Sequence, residues 1–199
     1  MPDFSVENLF YQKGYKAVCG VDEAGRGPLA GPVCAAAVIL PADIEIEGLN
    51  DSKKLSEKKR EELYDVITKK AIAYGIAFGT LDEIENFNIL NATFLAMNRA
   101  IDSLSVKPDF ALVDGNRVPK DINIPCEIVI KGDAKSSSIA AASILAKVTR
   151  DRLLYDYDKE FPMYGFAKHK GYGTKAHYDA IKEYGVCKYH RLSFLKNVL

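Results

Sequence analysis

Four acids stand where an apolar run gives way to a turn. Asp22 and Glu23 follow residues 17–21, Asp114 follows residues 110–113, and Asp133 follows residues 127–130. In open α/β sheets ligands gather where strands end and loops begin, so acids distant in the chain can meet there. Carboxylates brought together repel unless a proton or a cation intervenes. Mg²⁺ and Mn²⁺ take hard oxygen ligands in octahedral geometry. Two such ions, about 3.5–4 Å apart, can activate a water and stabilise the leaving oxygen of a phosphodiester. Singly, each acid reads as a turn or cap residue, since Asp-Gly after a strand is commonly a turn. Their joint placement is what points to metal. Neighbouring strand residues project to opposite faces, so Asp22 and Glu23 can share the ions only if the backbone turns; Gly25 and Gly27 offer that turn.

Three further groups could serve such a site. Gly25-Arg26-Gly27 lets the backbone approach a ligand, exposes N–H groups to sugar or phosphate oxygens, and adds the phosphate-matching fork of Arg26. Lys168-His169-Lys170-Gly171-Tyr172-Gly173-Thr174 sets an aromatic between glycines, where Tyr172 could stack on a sugar or base while Lys168 and Lys170 take phosphates. In Asn50-Asp51-Ser52-Lys53-Lys54-Leu55-Ser56, Lys53 is a further candidate for a phosphate. Alone, Gly25-Arg26-Gly27 and residues 50–56 read as ordinary turns or loops, and residues 168–174 read equally as one. Cys19, Cys34, Cys126 and Cys187 form no C-x-x-C pair, and His169, His177 and His190 form no His-x-x-x-His pair, so a structural zinc site and a zincin helix are not expected. Cys19 and Cys34 fall in apolar runs and read as buried, reduced thiols.

The elements that must hold these groups alternate. Residues 17–21 and 33–40 read as buried strands, with residues 22–28 a turn-forming loop between them. A helix starts after Ser56, a good N-cap, and 73–79 is another strand. Residues 88–104 form an amphipathic helix with Ile89, Leu90, Phe94, Met97 and Ile101 on one side. Short strands at 110–113 and 127–130 follow. A long helix then runs from about 137 to 161, closed by Pro162; its Ile144, Leu145 and Val148 face a core, and its Lys147, Arg150 and Asp151 face out. A last helix spans 174–184. The pattern predicts an α/β fold with a mixed central sheet flanked by helices, one domain over 1–199, its core about 15–160 and a C-terminal helical segment about 161–199.

The chain has 199 residues, 27 basic and 27 acidic. Zero formal charge argues against a nonspecific nucleic-acid coat. Residues 161–199, however, carry seven lysines and arginines against two acids, leaving the remainder net acidic. That split suits cations held in one place and phosphates in another. No apolar run approaches the roughly 20 residues of a membrane span, and the N-terminus lacks the pattern of a secretory signal, so a cytoplasmic protein is expected.

The motifs together resemble bacterial ribonuclease HII. The resemblance runs from Gly20-Val21-Asp22-Glu23-Ala24-Gly25-Arg26-Gly27-Pro28-Leu29-Ala30-Gly31-Pro32 through Leu49–Ser56, Val113-Asp114-Gly115-Asn116 and Lys131-Gly132-Asp133. It continues through Ala141–Asp151 and ends with Tyr164-Gly165-Phe166 and His169-Lys170-Gly171-Tyr172. These stretches stand in family order over nearly the whole chain. The resemblance implies a ribonuclease-H-like fold and hydrolysis to 5′-phosphate and 3′-hydroxyl ends with Mn²⁺ or Mg²⁺, two ions being expected with substrate. It implies Asp22, Glu23, Asp114 and Asp133 as metal-binding and catalytic acids. Gly25, Arg26 and Gly27 would read the 2′-hydroxyl, and Tyr172 would stack at the RNA-to-DNA junction. The substrates would be RNA–DNA hybrids and DNA duplexes with single ribonucleotides, cut on the 5′ side.

The sister type, ribonuclease HIII, carries Gly-Lys-Gly where this chain has Gly25-Arg26-Gly27, and an extra N-terminal domain for which there is no room. A two-metal nuclease of the same fold, such as a junction resolvase, would fit the same acids, and a non-catalytic duplex-binding module would fit the basic loops. A phosphatase with Asp114 as nucleophile lacks its Asp-x-Asp pair. A monomer is expected; docking on a sliding clamp is left open, because the chain ends soon after His190-Arg191-Leu192-Ser193-Phe194.

Overall fold

A computed structural model describes residues 1–42 and 44–196; residues 197–199, the end of the expected C-terminal segment, lie outside that description. Five strands, β1 (Val18–Ala24), β2 (Val33–Ile39), β3 (Ala73–Gly79), β4 (Phe110–Asp114) and β5 (Cys126–Val129), form one sheet in the order β3-β2-β1-β4-β5. The helices are α1 (Ser5–Tyr11), α2 (Glu57–Lys70), α3 (Leu81–Asp102), α4 (Ser137–Glu160), α5 (Phe166–His169) and α6 (Lys175–Tyr184). The sheet is mixed: β2 runs antiparallel to both β1 and β3, whereas β4 is parallel to β1 and to β5.

The continuous apolar run of β2 reflects burial on both faces. Cys34, Ala36 and Val38 join a core with Leu63 and Ile67 of α2 and Ile144 and Leu145 of α4. Ala35, Ala37 and Ile39 join the opposite core with Phe94, Met97 and Ile101 of α3. Alternation along one strand thus serves two helical layers. The small residues let α4 come close. A Cβ at Gly20 of β1 would lie 2.2 Å from the Ser138 carbonyl carbon, so only glycine admits the start of α4 there. Glu7 of α1 holds that start from outside, its Oε1 accepting from the Ser136 hydroxyl at 2.7 Å and the Ser138 amide at 2.8 Å.

Three expectations change. The first strand does not stop at Val21. It runs to Ala24, because β2 continues to pair with it through Asp22↔Ala36, Glu23↔Ala35 and Ala24↔Cys34. The helix expected over 88–104 is the second half of α3, which breaks at Asn88 (φ 68°). There Asn88 Oδ1 accepts from the amides of Leu90 and Asn91 and caps the new segment. Arg150 and Asp151 do not face solvent; both are buried on α4. The C-terminal segment covers that surface, packing Tyr164, Phe166 and Ile181 against Leu154 of α4 and Leu29-Ala30. Among the described residues no helix is long and apolar enough to cross a membrane.

Candidate active site

The parallel pairing of β1 and β4 places Val21 opposite Val113, so Asp22 and Asp114 are the next residues on two adjoining strands. Such strands lie about 4.8 Å apart. Asp22 is only 5% exposed. Its Oδ1 accepts from the Glu23 amide at 2.6 Å, and the Ser143 hydroxyl of α4 stands on the side that favours the charged carboxylate. Burial, then the charges of Glu23 and Asp114, push the Asp22 carboxyl well above the usual range. Burial likewise raises Glu23; Arg26, whose Nη1 lies 3.4 Å from its Oε1, opposes this, and Asp114 adds to it. The two acids therefore feel the same Asp114 although the strand runs straight through both.

Asp114 Oδ1 accepts from the Gly132 amide at 2.6 Å, which ties β4 to the 3₁₀ turn Gly132–Ala134. That turn carries Asp133, raised by burial and by the charges of Asp114 and Asp51. Lys53 faces all of them. Burial works against its charge, yet Asp22, Asp133, Asp51 and Asp114 together hold its ammonium above the ordinary value. The four expected acids are thus brought to one end of the sheet. Among the described residues, no three acid, histidine or cysteine side chains already stand as a preformed metal cage. Asp22 and Asp114 each have an oxygen on a backbone amide instead. The donor set suits Mg²⁺ or Mn²⁺: it is all carboxylate oxygen, crowded, with Asp22 and Asp133 buried and Glu23 and Asp114 half-buried, and its repulsion falls when a cation enters.

A cleft of about 170 Å³ adjoins the acids, lined by Glu23, Gly25, Arg26, Gly27, Lys53 and Tyr172 among others. Gly25 has φ +99°, and a Cβ on it would lie 2.0 Å from Arg150 Nε, so the turn out of β1 requires glycine. The Tyr172 ring, 45% exposed, passes 3.7 Å from where a Gly27 Cβ would be. Lys170 is differently placed. It is buried, with its ammonium donating to the Ala167 carbonyl and lying 3.9 Å from the Tyr155 ring centroid. It meets the site through its backbone carbonyl, which Arg150 grips at 3.0 Å.

The profile "Ribonuclease HII" matches residues 19–197. The chain belongs to the ribonuclease HII family. The ribonuclease HII of Acetivibrio thermocellus is 60% identical over 193 residues, covering 97% of this chain and 75% of that protein. That of Caldicellulosiruptor saccharolyticus is 56% identical over 196 residues, covering 98% and 95%. The crystal structure of ribonuclease H2 from Pyrococcus horikoshii OT3 superposes with a TM-score of 0.74 at 28% identity, covering 89% of this chain and 93% of that one. As a ribonuclease HII family member with the ribonuclease-H-like fold, the enzyme is a metal-dependent nuclease with ribonuclease H activity.

Sequence reasoning misses Asp51, Ser143, Arg150 and Arg191. Ser143 leaves one legible signal, a hydroxyl on the alanine-rich buried face of α4, where its Oγ lies 2.9 Å from Ser52 Oγ. Arg150 reads as one more solvated charge. The histidines also gather, but as structure. His177 Nδ1–H donates to the Tyr172 carbonyl, so its Nε2 must accept from His190 Nε2–H at 3.1 Å, and His190 Nδ1 in turn accepts the Cys187 amide. Burial pushes the thiols of Cys19 and Cys34 up to about 12, in keeping with inert packing.

Proposed function

We propose that this enzyme cuts the RNA strand of RNA–DNA hybrids and, in duplex DNA, cuts 5′ of a single embedded ribonucleotide, leaving 5′-phosphate and 3′-hydroxyl ends. One observation carries the reading: Asp22 and Asp114 adjoin on paired strands, beside a cleft lined by Gly25-Arg26-Gly27 and Tyr172. Asp22 and Asp114 are the central metal ligands, and Glu23 and Asp133 complete the set. When bound, two Mg²⁺ or Mn²⁺ ions supply an activated water and stabilise the departing 3′ oxygen. The backbone of Gly25-Arg26-Gly27 reads the 2′-hydroxyl, the mark that separates RNA from DNA at a lone ribonucleotide. Tyr172 stacks on the sugar at the junction, and Lys53 neutralises the acids and meets a phosphate. Residues from about 161 onward form the substrate-binding segment of a single catalytic domain. The enzyme works as a cytoplasmic monomer, in keeping with its unpaired cysteines.

One assay tests the reading. Duplex DNA with one ribonucleotide, a full RNA–DNA hybrid and plain DNA are offered with and without Mg²⁺ or Mn²⁺. The first two should be cut only with metal, and plain DNA not at all. Cleavage of an all-DNA junction would identify a resolvase, and binding without product a non-catalytic module. Asp22→Asn should abolish turnover while sparing duplex binding; cutting at the unmodified rate would remove Asp22 from the metal set.

A further inference from the structure

Two arginines lie deep beside the cleft, with no acid among the described residues to answer them. Arg150 and Arg191 are 1% and 0% exposed, and among the described residues neither has a carboxylate within ion-pair distance. A buried unpaired cation is costly, so its donors must be satisfied by dipoles. Among the described residues, both guanidiniums donate to backbone carbonyls alone. Arg191 donates from Nε to Gly31 at 2.8 Å, from Nη1 to Arg26 at 3.0 Å and from Nη2 to Gly25 at 2.7 Å. Arg150 donates from Nε to Pro32 at 3.0 Å, from Nη1 to Lys170 at 3.0 Å and from Nη2 to Ala30 at 2.9 Å. Arg191 also lies 5.2 Å from the Phe194 ring centroid.

These contacts decide where amide hydrogens point. In a planar trans peptide the C=O and the following N–H point in opposite directions. Arg191 draws the carbonyls of Gly25 and Arg26 inward, which turns the N–H groups of Arg26 and Gly27 outward. Both residues are exposed and line the cleft, and no acceptor among the described residues takes either amide. Arg150, by holding Ala30, Pro32 and Lys170 at once, fixes that loop against the stretch of chain that carries Tyr172.

We propose that Arg150 and Arg191 are positioning residues for ribonucleotide selectivity, holding the Arg26 and Gly27 amides, and the Tyr172 loop opposite them, in the geometry that receives a 2′-hydroxyl. The proposal rests on the reading of Gly25-Arg26-Gly27 as the 2′-hydroxyl contact. A lysine at either position keeps the charge but not the planar three-point grip.

The experiment is a cycle between protein and substrate. The unmodified enzyme, Arg191→Lys and Arg150→Lys are each assayed on duplex DNA carrying one ribonucleotide or its 2′-fluoro analogue, a weaker acceptor that cannot donate. In the unmodified enzyme the analogue should lower kcat/KM by about tenfold, the value of a lost hydrogen bond of this kind. In the lysine variants that penalty should shrink toward onefold, with Mn²⁺ affinity unchanged. A full penalty in both folded variants overturns the proposal and leaves the 2′-hydroxyl reading standing. No penalty in the unmodified enzyme overturns that reading instead. A readout independent of variants is the Nε–H resonance of each arginine in the unmodified protein. Slow exchange with solvent is expected for both, and fast exchange of either overturns the proposal.

Discussion

At the scale of single residues, Gly25 and Tyr172 test different parts of the cleft. Gly25→Ala meets both an unfavourable φ of +99° and the Arg150 side chain at 2.0 Å. It should lower stability by about 1–3 kcal/mol through strain and overpacking, read by thermal melting, and it should depress cleavage further by moving the Arg26 amide. Tyr172→Ala removes a side chain that is half in solvent, so the melting temperature should hardly move. Cutting at a single ribonucleotide should fall by about tenfold or more, the value of one lost stacking contact; equal activity on that substrate would remove Tyr172 from the site. Both residues are legible as chemistry because glycine and an exposed aromatic carry local signals. Arg150 is not: its place beside Lys147 and Asp151 on α4 predicts a solvated face, and only the covering C-terminal segment buries it.

At the scale of elements, the site depends on how closely α4 crosses β1. Gly20→Ala would force the Ser138 backbone away from a contact of 2.2 Å. Backbone cannot rotate aside as a side chain can, so a loss of about 3 kcal/mol is expected in chemical denaturation, together with weaker cleavage as Ser143 withdraws from Asp22. The break in α3 gives a contrasting pair. Asn88→Ala removes a cap and leaves φ 68°, for a cost of about 1–2 kcal/mol. Asn88→Gly loses the same cap but tolerates the backbone, so it should cost only a few tenths. Most strands and helices are readable from period and capping residues. The extension of β1 through Asp22-Glu23-Ala24 is not, because polar residues at a strand end look like a turn until a partner such as β2 supplies the hydrogen bonds.

At the scale of the whole molecule, the C-terminal segment is bound to the core through a short ladder. Gly31 N–H donates to the Tyr189 carbonyl, Arg191 N–H donates to the Leu29 carbonyl, and Ala30 bridges His190. The imidazoles behind this ladder are neutral by construction. Burial lowers His177 to about 4 from its ordinary 6.5. Between those values the unfolded chain binds a proton that the folded chain refuses, so stability rises with pH across the window and is lost as pH falls through it. The loss should be on the order of 3 kcal/mol by pH 4, and His177→Gln should flatten it in denaturant titrations at pH 7, 6, 5 and 4. A slope unchanged by that substitution would assign acid sensitivity to other groups. The family-wide order of motifs is visible in the sequence. The meeting of His169, His177 and His190 is not, since it depends on α6 folding back over α5.

That meeting leaves each imidazole a single home for its hydrogen. His177 carries it on Nδ1, His190 on Nε2, and His169 on Nε2 toward the Tyr164 carbonyl. Free histidines in solution interconvert between the two forms. Ring nitrogen spectra of the ¹⁵N-enriched protein therefore form a three-letter signature of a seated tail: one δ and two ε. Undocking the tail at any temperature or urea concentration would blur all three letters together, which turns the histidines into a native gauge of whether the wall behind Tyr172 is in place.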